Sequence, residues 1–194
     1  MSLILMMSWQ LTFGGHKTDS LRTLLENLED VDRISVLGSL GTELFNEEEV
    51  PEAIECFKEA QKFYSVNEMV PEQISELNEL GSAYLYLSDY EKALEYYLMS
   101  LKLVDQIDDS SLKATSYNNI GNAYMSLGDA KNGIAFLDKA LALYIENRDS
   151  ARIAICLNNI GISHGSRGEY GKAIGLFKRS LTMGKSSKRE TSSY

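Results

Sequence analysis

Two stretches of the chain, ELGSAYLYLSDYEKALEYYLMSL at residues 79–101 and NIGNAYMSLGDAKNGIAFLDKAL at residues 119–141, align without a gap at a spacing of forty residues. The same spacing separates four glycines, each of which follows a branched aliphatic residue: Gly41, Gly81, Gly121 and Gly161. Self-similarity at a fixed period of about 20–50 residues is typical of repeat architectures. The sequence therefore predicts four copies of one structural unit.

Four further columns repeat in phase with the glycines and alternate large with small residues. They lie 3, 12, 16 and 19 positions after each glycine and comprise Leu44, Tyr84, Tyr124 and His164; Ala53, Ala93, Gly133 and Ala173; Phe57, Tyr97, Leu137 and Phe177; and Ala60, Ser100, Ala140 and Ser180. Small residues let two helices approach closely, and large ones fill the remaining space. Because Leu, Ala, Glu and Lys dominate the repeats, each unit is predicted to be a helix, a turn and a second helix in an all-α fold.

These columns resemble the tetratricopeptide repeat family, whose pattern is matched by Gly81, Tyr84, Ala93, Tyr97 and Ser100. The resemblance implies a right-handed superhelical solenoid of stacked helix-turn-helix repeats, in which the first helix of each unit (helix A) lines a concave groove. The period of forty departs from the usual period of about 34 residues. It is similar to a variant with longer helices and longer turns between repeats.

The chain divides into segments around these repeats. The four units are expected at about residues 34–73, 74–113, 114–153 and 154–187, with a polar tail at 188–194. Residues 19–33 are expected to form an N-terminal helix and cap, with Asp19 or Ser20 as the N-cap and Leu28 near the helix end. Residues 1–18 form an apolar leader or terminal segment.

The apolar leader leaves the compartment open. It is too short to span a membrane and lacks the basic start of a secretory signal. It either packs on the first helices or is an export signal that has lost its basic start. A cytoplasmic location is slightly favoured, and a periplasmic one follows if the leader is such a signal. No other stretch is long and apolar enough to cross a bilayer.

The formal net charge of −9 argues against binding of nucleic acid, which needs a basic surface. The charge is unevenly distributed: residues 1–111 carry a net −15 and residues 112–194 a net +6. Most of these charges are expected to be solvated. The polarity is also able to steer a charged partner or to promote head-to-tail association into a homo-oligomer.

Ten residues between the packing columns are predicted to face the groove and to bind a peptide. They are Asn78, Glu79, Ser82, Asn118, Asn119, Asn122, Met125, Asn158, Asn159 and Ile162. An asparagine amide both donates and accepts, so a ladder of asparagines suits the backbone of an extended peptide. The alternative is that one asparagine per unit bridges neighbouring helices.

Other site chemistries find little support in the sequence. No basic residue occupies the positions of the family's carboxylate clamp, which correspond to Ser35, Ser75 and Thr115 and to Gly38, Asn78, Asn118 and Asn158. Cys56 and Cys156 have no metal-ligand spacing and are interpreted as core residues. His16 and His164 lack a catalytic context. We therefore expect no enzyme activity, no metal and no cofactor.

Two functions remain open at this point, besides self-assembly through the solenoid ends. The first is a scaffold that binds a protein or peptide in its groove. The second follows from residues 19–33, which, with the asparagine-rich repeats, resemble the sensor regions that precede bacterial histidine kinases, cyclases and transcription regulators. That resemblance implies a sensor or regulatory region of a signalling protein.

Overall fold

The structure is a computed structural model that describes residues 17–107 and 109–191, without the side chains of residues 30 and 185–191. Every regular element within these residues is an α-helix. The helices are α1 (Lys17–Leu25), α2 (Asp30–Asn46), α3 (Val50–Val66), α4 (Val70–Tyr86), α5 (Tyr90–Val104), α6 (Ser110–Ser126), α7 (Ala130–Glu146), α8 (Ser150–Ser166) and α9 (Tyr170–Thr191). The predicted all-α helical repeat is confirmed.

In the first and third repeats, the forty-residue period consists of two helices of 17 residues and two turns of three. Helices α2, α3, α4, α6, α7 and α8 each contain 17 residues. The turns between repeats at 67–69 and 147–149 are as short as the turns within repeats. The expectation of longer turns between repeats is therefore wrong for these junctions, and the extra length lies in the helices. The helical pairs begin at residues 30, 70, 110 and 150, four residues before the boundaries drawn from the glycine columns.

The central residue of six three-residue turns adopts a positive φ, at intervals that are multiples of twenty residues. These residues are Glu48, Glu68, Ser88, Gly128, Arg148 and Gly168, with φ between 54° and 81°. The left-handed conformation ends one helix and lets the next begin at once. Aspartates then cap the following helices: the side chains of Asp89, Asp109, Asp129 and Asp149 each accept a backbone N–H from the first turn.

The first compact unit extends to Ala83, and its core lies between α2, α3 and the start of α4. Leu44, Phe57 and Leu80 are essentially inaccessible to solvent. A Cβ at Gly41 would lie 2.7 Å from the Phe57 ring, so the small residue is needed for the close approach of α2 and α3. The packing role predicted for these columns is confirmed.

The second compact unit extends from Tyr84 and repeats this packing. A Cβ at Gly121 would lie 2.8 Å from the Leu137 side chain, and one at Gly161 would lie 2.6 Å from the Phe177 ring. An aromatic pair also recurs one repeat apart. Tyr84 stacks on Tyr96 with ring centroids 5.4 Å apart, and Tyr124 stacks on Phe136 at 5.6 Å.

The N-terminal predictions are corrected in part. The structure places Asp19 and Ser20 inside α1 and ends this helix at Leu25, so neither residue is the N-cap and Leu28 is not helical. Asp19 instead lies in the first turn, where its negative charge interacts favourably with the positive end of the helix dipole. Residues 1–16 of the apolar leader lie outside the described residues, as do residues 192–194 of the tail.

Two further predictions concern burial and the membrane. Cys56 and Cys156 are both buried free thiols, which confirms their interpretation as core residues. None of the helices that the structure describes has the length and hydropathy of a membrane span.

Candidate functional site

An acidic pocket lies on the helix A face of the first compact unit. Its volume is about 290 Å³. It is lined from α2 by Ser35, Gly38, Ser39 and Thr42, from α3 by Tyr64, and from α4 by Glu72, Ser75, Glu76 and Glu79. Three of these side chains are carboxylic acids and none is basic. We call this group of residues the acidic pocket.

Glu76 is the buried member of the acidic pocket. The residue is only 8% exposed, and its Oε2 has no hydrogen-bond partner among the described residues. Burial, together with the charge of Glu79, raises the pKa of Glu76 to about 7. Burial also raises the pKa of Glu79. The pocket therefore holds a carboxyl group that changes its charge near neutral pH.

Gly38 makes room for this carboxyl group. A Cβ at Gly38 would lie 2.6 Å from Oε1 of Glu76, so any larger residue on α2 displaces the glutamate. The corresponding residues of the other repeats are all asparagines, Asn78, Asn118 and Asn158. A glycine in place of the asparagine leaves the volume that the large Glu76 side chain of α4 occupies.

Glu76 is absent from the groove residues predicted from the sequence, although the repeat contains a signal for it. The equivalent residues are Val36, Ser116 and Cys156, which are uncharged and buried. A glutamate in a column of core residues is the kind of exception that marks functional sites. Of the predicted groove residues in this unit, only Glu79 lines the acidic pocket.

In the second unit, the predicted asparagine surface divides into bridging and unpaired residues. Nδ2 of Asn159 on α8 donates to Oδ1 of Asn122 on α6 over 3.0 Å. The alternative interpretation, in which asparagines bridge neighbouring helices, is therefore correct for this pair. The side chains of Asn118, Asn119 and Asn158 form no hydrogen bond with a described residue, and Oδ1 of Asn118 is enclosed.

The remaining predicted groove residues have different surroundings. Met125 packs onto α7 of its own repeat. Its sulfur lies only 2.6 Å from the position that a Cβ at Gly133 would occupy. Met125 is half-buried against a core cluster, and its place in the groove stays a prediction. Ile162 is 54% exposed. In the first unit, Ser82 donates to the Asn78 carbonyl, and Oδ1 of Asn78 is enclosed without a partner.

His164 lines an open cleft of about 640 Å³ beside the turns at Gly128 and Arg167. Its Nδ1 lies 3.1 Å from Oε2 of Glu169, so it joins the end of α8 to the following turn. This contact accounts for the histidine in structural terms. Among the described residues, no group of three or more His, Cys, Asp and Glu side chains is placed to hold a metal ion.

Solved structures share the fold at low sequence identity. BtubC (BKLC) from P. vanneervenii has a TM-score of 0.77 at 20% identity, over 89% of this chain and 73% of that chain. The apo form of RapI has a TM-score of 0.80 at 19% identity, over 91% and 66% respectively. A Rap protein complexed with competence and sporulation factor has a TM-score of 0.76 at 19% identity. The match covers 86% of this chain, which spans 48% of that Rap protein.

The family is established by sequence. No curated protein is significantly similar to the chain. The tetratricopeptide repeat pattern, however, matches residues 72–126 and 112–186, which together make up more than half of the chain. The same segments form paired helices with small residues at their contacts. The chain belongs to the tetratricopeptide repeat family.

Proposed function

We propose that this chain is a protein-interaction scaffold that binds a peptide or a segment of a partner protein on its helix A face. The observation that carries the proposal is the unpaired state of Asn118, Asn119 and Asn158 in the middle of α6 and α8. Mid-helix asparagine costs a few tenths of a kcal/mol of helix stability relative to alanine. Residues that neither favour the helix nor pair within it are suited to pair with a ligand.

The chemistry of these side chains favours an extended ligand. The amides of Asn119 and Asn158 each offer a donor and an acceptor, which match the C=O and N–H groups of a peptide backbone. The exposed Ile162 adds an apolar contact one turn from Asn158. The Rap protein in complex with competence and sporulation factor supports the proposal as a related fold that holds a ligand.

A peptide array tests this function. The test variant is Asn118→Ala/Asn119→Ala/Asn158→Ala, which spares the Asn122–Asn159 hydrogen bond. The control variant, Glu95→Ala/Lys102→Ala, changes two exposed residues of α5 without altering the net charge. We expect bound peptides to lose about tenfold or more in affinity with the test variant only, since each lost hydrogen bond contributes about 1 kcal/mol. Equal binding by both variants would remove the asparagines from the proposed interface.

Self-association is a second candidate, favoured by the apolar face of the last helix. Ile174 and Leu181 of α9 are 53% and 62% exposed, whereas the equivalent Ile134 and Leu141 of α7 pack on a core cluster. The occupant we propose is a second copy of this chain, because the net charge of the N-terminal 111 residues is opposite to that of the rest. Such an exposed face is typical of interaction sites.

Sedimentation velocity separates this candidate from the first. Self-association through α9 predicts a concentration-dependent increase in mass at low salt, reduced by Ile174→Ser/Leu181→Ser. A monomer at all concentrations eliminates it and leaves peptide binding untouched. The expected absence of enzyme activity and of a cofactor remains a prediction.

A further inference from the structure

The acidic pocket combines a cavity, a strong negative charge and a buried carboxyl group without a partner. Residues 17–83 contain 16 acidic and 5 basic residues. Three of the acidic residues, Glu72, Glu76 and Glu79, line one cavity of about 290 Å³. Small-molecule pockets range from about 300 to 1,000 Å³, so this cavity has room for one long side chain and not for a large ligand.

Glu76 itself points to a ligand. Glu76 is more than nine-tenths buried at the cavity wall, and its Oε2 has no partner among the described residues. An unpaired carboxyl group in such surroundings is unfavourable for folding. The uncharged Val36, Ser116 and Cys156 show that the same column packs without a charge. The fold alone thus does not explain the glutamate, and a bound cation does.

We propose that the acidic pocket binds one cationic side chain, the ammonium group of a lysine or the guanidinium group of an arginine. This inference rests on the proposed function, because the side chain belongs to the peptide or partner segment that the scaffold binds. Glu76 accepts hydrogen bonds from the cationic group, and Glu72 and Glu79 add charge at the pocket walls. Charge-assisted hydrogen bonds of this kind are among the strongest in proteins.

The composition of the pocket argues for an organic cation over other ligands. Anions are repelled by three carboxyl groups, and no lining residue is basic. A metal ion is disfavoured because the described residues contain no suitable group of three ligands. The hydroxyl groups of Ser75 and Thr42 lie in the same lining and are able to accept further N–H groups.

Binding of the cation is coupled to the release of a proton from Glu76. The titratable groups that face Glu76 are Glu72 and Glu79 on its own helix and Tyr64 on α3, while α2 contributes only Gly38 and hydroxyl groups. Burial and the charges of Glu76 and Glu72 raise the pKa of Tyr64, so it stays neutral. When the cation enters, the proton of the Glu76 carboxyl group passes to solvent, and the resulting carboxylate pairs with the cation.

The experiment uses the whole chain and three capped amino acids as probes. N-acetyl-arginine amide, N-acetyl-lysine amide and N-acetyl-norleucine amide are titrated while the NMR signals of Gly38, Glu76 and Glu79 are followed. We expect the two cationic probes to shift these signals and the norleucine probe to leave them unchanged. With the pKa of Glu76 at about 7, affinity should rise about tenfold between pH 6 and pH 8.

Two variants make the test specific. Glu76→Gln should abolish both the pH dependence and most of the affinity while leaving the fold intact, because it removes only an unpaired charge. Glu91→Gln makes the same change of charge at an exposed position of α5 and should bind as the wild type does. Equal shifts by the norleucine probe, or unchanged binding by Glu76→Gln, would overturn the inference.

Different experimental outcomes would contradict the cationic subsite and the proposed scaffold function. If array peptides bind without any preference for lysine or arginine, the scaffold function stands and the cationic subsite is wrong. If the capped arginine binds in a Glu76-dependent manner but no peptide or protein binds, the subsite stands and the scaffold function is wrong.

Discussion

Gly38 on α2 and Glu76 on α4 are matched in size: a Cβ at position 38 would lie 2.6 Å from Oε1 of Glu76. The two residues lie in columns that the other repeats fill differently, with Asn78, Asn118 and Asn158 in one and Val36, Ser116 and Cys156 in the other. The repeats therefore differ at two positions on neighbouring helices that together enclose one carboxyl group.

Gly38→Ala should displace the Glu76 carboxyl group toward solvent and lower its pKa toward the ordinary glutamate value. The clash involves only the end of a flexible side chain, and alanine favours a helix over glycine by about 1 kcal/mol, so the variant should fold. NMR titration of Glu76 measures the effect. Gly165→Ala is the control, because its Cβ meets its nearest neighbour at an ordinary 3.8 Å. An unchanged pKa would show that the two residues do not compete for space.

Glu76→Gln should stabilise the protein at pH 8 and have little effect at pH 4. The folded-state pKa of about 7 lies above the ordinary value of 4.5, so the folded state holds the proton more tightly. The tighter proton binding by Glu76 stabilises the folded wild type fully below pH 4.5, and this stabilisation is lost as the pH rises through 7. The shift corresponds to about 3 kcal/mol.

Urea unfolding at pH 4, 6 and 8 measures this difference between wild type and variant. Glu91→Gln is the exposed control and should show no such pH dependence. A constant difference across the three pH values would mean that Glu76 titrates normally in the folded state.

Asn159→Ala should lower the free energy of unfolding by about 1 kcal/mol, since it removes the hydrogen bond from Nδ2 to Asn122 on α6. Asn158→Ala is its matched neighbour and should be neutral or slightly stabilising, because alanine is the better helix former. Urea unfolding of both variants provides the comparison. Equal effects at the two positions would contradict the bridging role.

Arg148→Gly should stabilise the fold by up to about 1 kcal/mol, and Gly128→Ala should destabilise it by a similar amount. Both residues occupy left-handed turns, with φ of 54° and 81°, a conformation that side chains with a Cβ disfavour. Nothing lies within 4 Å of a Cβ built at Gly128, so backbone strain alone acts there. The melting temperatures of the two variants should shift in opposite directions from that of the wild type.

Both cysteines should resist thiol reagents in the folded protein at neutral pH. Burial raises the pKa of Cys56 to about 11 and that of Cys156 to about 12, and only thiolates react. Release of the chromophore from a disulfide reagent should therefore be slow, and complete only in denaturant. Rapid labelling of the native protein would indicate local opening around α3 or α8.

The sequence contained enough information for the fold, because the columns that form the core recur four times. Gly41 and Gly121 have the close contacts that their phase predicts. The helix ends were harder to place, since the glycine columns lie in mid-helix. The regular series Asp89, Asp109, Asp129 and Asp149, at a spacing of twenty residues, marks these helix starts more directly than the glycines do.

The candidate site was only partly predictable. Asn122 and Asn159 share the asparagine pattern but bond to each other, and that depends on the axial offset between α6 and α8. Phase alone does not show that Met125 also fills the space beside Gly133. Glu76 lies at a position of the repeat that is buried in the other copies, although glutamate is usually exposed. It fits there because Gly38 has no side chain and leaves room for the carboxyl group.

The turns at Gly128 and Gly168 have an implication for how chains of this kind change in length. Both residues have nearly the same φ and are separated by one repeat. A recombination event that joins one turn to the other removes or adds forty residues and leaves the backbone geometry at the junction unaltered. Interchangeable junctions of this kind let evolution vary the number of repeats, and with it the length of the proposed binding surface, without first having to find a new turn.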